Sequence, residues 1–144
     1  MPIIDPSAVP RRAADPDDND PLGAYECLKL AAGGGLTQFG VNLETLPPGS
    51  QSSETHWHEE EDEFVYILSG TGTLIEGDVA CEVGPGTSIA FPRGRAVGHH
   101  IENRGSEDLR FWAIGTSSKN DVVHYTQKRV VARIVDGVRT ETEE

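Results

Sequence analysis

The chain has 144 residues, 24 of them acidic and 12 basic, for a formal charge of −12, and its hydrophobic content is 36%. That length reads as one domain able to bury a core. A surface this acidic repels phosphate backbones and anionic lipid, so nucleic acid and membranes are excluded as expected partners.

Residues 1–23, rich in Pro and Asp and without an apolar period, read as an extended N-terminal arm. Ile3, Ile4 and Val9 are its candidate anchors against the body or a partner chain, and Arg11 and Arg12 read as solvated charges. The arm holds no apolar core of a secretory signal, and no segment reaches the roughly 18 apolar residues of a membrane span. A cytoplasmic protein is therefore expected. Cys27 and Cys81 lie far apart with no C-x-x-C spacing, and both read as small buried apolar groups.

The body is expected over residues 24–136. Tyr25 to Leu30 alternates as a strand, Gly33-Gly34-Gly35 turns the chain, and Leu36 to Leu43 alternates again before Leu46-Pro47-Pro48-Gly49. Beyond a His-rich segment, Thr73-Leu74-Ile75 and Val79 to Val83 flank Gly77-Asp78 as a compact hairpin. Strands follow at Thr87 to Phe91, Val97 to Asn103, Leu109 to Ile114, Val122 to Tyr125 and Val130 to Val135. The acidic end, residues 137–144, is expected to fray. About ten short strands, regular turn signals, sixteen Gly and nine Pro predict an all-β sandwich or barrel without a helix.

The chemistry concentrates in His56 to Gly70, HWHEEEDEFVYILSG. His56 and His58 stand two apart, so on a strand both imidazoles leave the same face. A strand, an acidic turn and a returning strand bring Glu63 alongside them. Two neutral imidazoles and a carboxylate are a facial ligand set for one divalent transition metal. Trp57, between the two histidines, points away. The spacer Glu59 to Asp62 reads as a solvated turn, His124 as a structural histidine, and Arg93, Arg95 and Arg110 as surface charges.

These residues resemble the cupin superfamily, whose first motif is G-x5-H-x-H-x3/4-E-x6-G and whose second is G-x5-P-x-G-x2-H-x3-N. Gly49 precedes His56 by one residue more than the pattern, and His56-x-His58-x4-Glu63-x6-Gly70 then fits. Gly86, Pro92, Gly94, His99 and Asn103 fit the second motif, with two extra residues between Gly94 and His99. The resemblance implies a single-domain cupin jelly-roll β-barrel with a metal held by His56, His58, Glu63 and a fourth histidine. Strand parity places His99 on the face of Asn103, which assigns His99; a β-bulge would select His100 instead.

The implied cofactor is one divalent transition metal, Fe, Mn, Ni, Co or Zn. The implied function is a metal-dependent enzyme acting on a small polar metabolite, as a dioxygenase or an isomerase/lyase on a sugar or organic acid. The alternative is a non-catalytic cupin that binds or stores such a ligand. No general base stands out; Tyr66, His100 and His124 are the candidates. Val65 and Ile67 share Glu63's face while Phe64, Tyr66 and Leu68 occupy the other, so a strand apolar on both faces predicts a homodimer through the outer sheet face.

Overall fold

The computed structural model describes residues 2–144. Thirteen strands are present among them: β1 Arg11–Ala14, β2 Tyr25–Lys29, β3 Phe39–Leu46, β4 His56–His58, β5 Glu63–Ser69, β6 Gly72–Glu76 and β7 Val79–Val83, then β8 Ser88–Phe91, β9 His99–Glu102, β10 Leu109–Thr116, β11 Asp121–Tyr125, β12 Val130–Val135 and β13 Val138–Glu143. All pairings are antiparallel and fall into two sheets. One has the order β1-β2-β3-β10-β5-β8 and the other β13-β12-β11-β4-β9-β6-β7. The architecture is thus almost entirely β, as the alternation and turn spacing predict.

Alternation along β5 and β10 sets the interior. Val65 and Ile67 of β5 and Leu109 and Phe111 of β10 point inward. They meet Leu46, Ile89 and Phe91 of their own sheet and Val83 and Ile101 of the other. This apolar cluster joins the two sheets at one end, where Leu109 and Ile67 are fully buried. Gly70 is required there: it adopts φ +81°, and a Cβ would come within 2.3 Å of the Asp108 carbonyl oxygen. Asn103 is a strut in the same region. Its amide donates to the Leu46 and Glu107 carbonyls at 2.8 Å, and its Oδ1 accepts from Gly105 N–H.

Three segments differ from the sequence reading. The extended arm contains a strand, because Arg11–Ala14 pairs with β2; of its candidate anchors Val9 is buried near Gly33, whereas Ile3 is exposed. Leu30 leaves its strand for one helical turn, α1, Leu30–Gly33. That turn closes with Leu36 N–H on Ala31 O and Gly35 N–H on Ala32 O, with Gly35 at φ +77°, and this delays β3 to Phe39. The acidic end does not fray either. Asp136 and Gly137, at φ 50° and 80°, make a two-residue hairpin turn that pairs β13 with the whole of β12. Backbone pairing holds it, since every β13 side chain is exposed.

Candidate metal centre

The inward row that is apolar at one end of β5 becomes polar at the other, where Glu63 opens the strand. Facing it, β4 lies between β9 and β11, with His56 opposite both His99 and Tyr125, and His58 opposite Val123. This register brings the three imidazoles to one carboxylate. His99 Nε2 lies 2.7 Å from Glu63 Oε2, and His58 Nε2 and His56 Nε2 lie 3.5 and 3.7 Å from Oε1. The His56 ring centroid is 5.0 Å from that of His58 and 4.9 Å from that of His99.

The far sides of the rings are held. His56 Nδ1 donates to the Glu54 carbonyl at 2.8 Å. His58 Nδ1 donates to Asp121 Oδ2, and Asp121 Oδ1 accepts the Glu60 and Val122 N–H groups. Glu61 also approaches Nδ1, at 3.8 Å. His99 stacks on Phe91 with centroids 3.6 Å apart. With Nδ1 held from behind, Nε2 is the nitrogen of His56 and His58 that faces the centre, where it meets Glu63 and would offer its lone pair to a bound ion.

Electrostatics follow from this packing. Burial raises the Glu63 carboxyl, but hydrogen bonds from His56, His58 and His99 outweigh it and hold the group well below the ordinary carboxylate range. Burial also pulls His58 down, yet Glu63 and Asp121 prevail and push it up to about 9. Among the described residues His56, His58 and Glu63 offer ligand atoms all within 4.8 Å of one another, two nitrogens and one anionic oxygen that suit a divalent transition ion, and His99 meets Glu63 beside them.

The neighbouring histidines are placed elsewhere. His100 is buried, with Nδ1 2.9 Å from Thr55 Oγ1 and Nε2 donating to Glu102 Oε1 at 2.9 Å. Both of its nitrogens are engaged away from Glu63. His124 stacks on Trp57 at 4.1 Å and pairs with Glu59 at 2.7 Å. Tyr66 lies outside the cavity on the exposed face of β5. None of the three general-base candidates is therefore free to face the centre. Arg93 and Arg95 are exposed and pair with Glu60 and Glu76.

A cavity of about 730 Å³ opens onto the four residues. Sequence reasoning missed much of its lining. Arg12, read as a solvated charge and exposed in the structure, also lines it and lies over the Tyr25 ring at 5.8 Å. Lys128 and Arg139 bracket the Tyr125 ring at 4.5 and 5.4 Å, and pair with Glu54 and Glu141. Glu44 of β3 enters from the opposite sheet. No spacing rule connects such positions; only the Asp-Gly at 136–137 signalled the hairpin that brings Arg139 in.

Comparison with known proteins gives a consistent picture. The family model described as the Cupin domain matches residues 42–115. A sugar phosphate isomerase of the cupin superfamily from Silicibacter pomeroyi is 30% identical, with TM-score 0.89 over 99% of this chain and 92% of the other. A candidate sugar phosphate isomerase from Acidithiobacillus ferrooxidans is 32% identical, with TM-score 0.82 over 86% and 79%. A predicted oxalate decarboxylase from Thermotoga maritima is 25% identical, with TM-score 0.64 over 81% and 99%. No curated protein matches the sequence.

Proposed function

This chain belongs to the cupin family, and we propose that it is a divalent-metal isomerase acting on a small hydroxy-carbonyl compound of the sugar phosphate type. The observation that carries the reading is the convergence of His56, His58, His99 and Glu63 on the wall of an open cavity. The names of the two neighbours at 30% and 32% identity weigh toward isomerisation rather than oxygen chemistry.

His56, His58, His99 and Glu63 would hold the ion, which when bound would supply Lewis-acid polarisation of a carbonyl and its neighbouring hydroxyl. Asp121 and the Glu54 carbonyl orient His58 and His56 from behind. Phe91 packs against His99 and keeps water from that side of its ring. Arg12, Lys128 and Arg139 bring cations into an otherwise acidic cavity, where they meet an anionic tail. A second copy of the chain covers the outer face of β5, where Phe64 and Tyr66 are exposed; a monomer mass at all concentrations in light scattering contradicts that part.

The function is tested by loading the protein separately with Mn, Co, Ni, Zn or Fe(II) and following C3 to C6 aldose and ketose phosphates by NMR. Aldose–ketose interconversion that a chelator abolishes is the expected result. Binding of these compounds without conversion would assign the chain to the ligand-holding alternative, and oxygen uptake with Fe(II) would move it to the dioxygenase class.

A further inference from the structure

Across the six-stranded sheet one lateral row can be followed from edge to interior. Arg12 pairs with Cys27, Cys27 with Glu44, Glu44 with Phe111, and Phe111 with Ile67. Residues paired across a sheet share a face. Cys27, Phe111 and Ile67 are all buried and Arg12 at the edge is exposed, so Glu44 is the one carboxylate in the row and lies between buried neighbours. It projects into the cavity that holds His56, His58, His99 and Glu63, from the wall opposite the histidines.

Every other carboxylate lining this cavity is committed to a partner. Glu54 pairs with Lys128, Glu141 with Arg139, Glu61 accepts from Ser118 N–H, and Glu63 is shared by the imidazoles. Glu44 alone has no hydrogen bond or ion pair among the described residues. A half-buried carboxylate without a partner costs stability and calls for a use.

We propose that Glu44 is the group that moves the proton in this cavity, which deepens the metal-isomerase reading and rests on it. Its carboxylate removes the hydrogen from the hydroxyl-bearing carbon beside the substrate carbonyl. The C–H electron pair becomes the C=C bond of an enediolate, and the carbonyl π pair moves to oxygen. The protonated Glu44 exchanges with solvent in the open cavity and then delivers a proton to the former carbonyl carbon, while the neighbouring hydroxyl gives its proton to the first oxygen and becomes the new carbonyl. Product and substrate are isomers, and no oxidant or reductant is consumed.

The surroundings suit this task. Burial raises the Glu44 carboxyl, Arg12 draws it back and Glu63 adds to the rise, leaving it at about 7. Cys27 beside it is a neutral thiol, pushed up to about 11 chiefly by burial. The three imidazoles, Glu61 and the Lys128–Glu54 and Arg139–Glu141 ion pairs also line the cavity.

The test compares wild type, Glu44→Gln and His56→Ala, each offered manganese, in D2O with glucose 6-phosphate and ribose 5-phosphate. Wild type is expected to place deuterium on the carbon next to the carbonyl. Glu44→Gln keeps its metal but loses that exchange by about 100-fold or more, whereas His56→Ala loses both. Exchange within threefold of wild type in Glu44→Gln overturns the proposal. Silence of wild type on both probes overturns the sugar-phosphate reading, and Glu44 is then judged by ¹³C carboxyl titration of the zinc-loaded protein. An inflection near neutrality that is missing in Glu44→Gln supports the proton-transfer role; one in the ordinary carboxylate range overturns it.

Discussion

The two ends of this sandwich use the same strands for opposite purposes. Along β5 the inward positions run Glu63, Val65, Ile67, and along β10 they run Gly115, Ala113, Phe111, Leu109. At the Leu109 end the side chains are apolar and fully buried. At the Glu63 end they are ionisable, partly open to the cavity, and held in place by hydrogen bonds. Stability is therefore concentrated at one end and chemistry at the other, with a boundary two or three residues wide. Changes at the two ends should separate cleanly.

The strongest break in that comparison comes from the ligand strand. His56→Ala or His58→Ala is expected to abolish stoichiometric metal while the far-ultraviolet circular dichroism stays that of the folded protein. The reverse holds for Leu109→Ala at the other end. It should cost about 2–5 kcal/mol in denaturant unfolding and leave metal content unchanged. Loss of metal from Leu109→Ala, or unfolding of both histidine variants, would show that the ends are not independent.

Finer changes sharpen the contrast. Asp121→Asn leaves His58 present but weakens its orientation, so metal affinity should fall about 10- to 100-fold by competition with a chelator. His100→Gln, by contrast, should leave affinity within about threefold, since His100 faces Thr55 and Glu102.

On stability, Glu44 gives a modest effect with a defined sign. Its folded-state pKa of about 7 lies above the ordinary value of 4.5, so the folded state binds the extra proton. Wild-type stability should therefore decline between pH 4.5 and 7 on this account. Glu44→Gln removes the decline, and above pH 7 the metal-free variant should be more stable by about 1–2 kcal/mol, a figure reduced for solvent reaching the half-buried carboxylate. A variant no more stable than wild type at pH 8 would contradict the burial argument.

How much of this was legible beforehand depends on whether the signal was local. His56, His58 and Glu63 lie within one strand–turn–strand unit, so parity and spacing alone brought them together. His99 was reached through the cupin resemblance combined with strand parity to Asn103, and the observed register puts it, not His100, beside Glu63. Asn103 and Gly70 serve the backbone around them rather than the chemistry. Asp121, Tyr125, Lys128 and Arg139 reach the site through pairing of β11 with β4 and of β12 with β13, which no fixed spacing encodes. Glu44 was hidden for a different reason. In Phe39–Leu46 it is one polar residue on an alternating strand, and alternation alone gives no reason to turn a glutamate inward. Only the lateral row through Cys27 and Phe111 does so.

The central claim is that the four converging side chains hold a divalent ion. The most direct test is elemental mass spectrometry of untagged, anaerobically purified protein beside Glu63→Gln and His99→Ala. Near one divalent transition ion per chain in wild type, and far less in both variants with the fold retained, is the result predicted. Wild type that carries no metal and takes up none on titration, or variants that keep the full complement, would contradict the account.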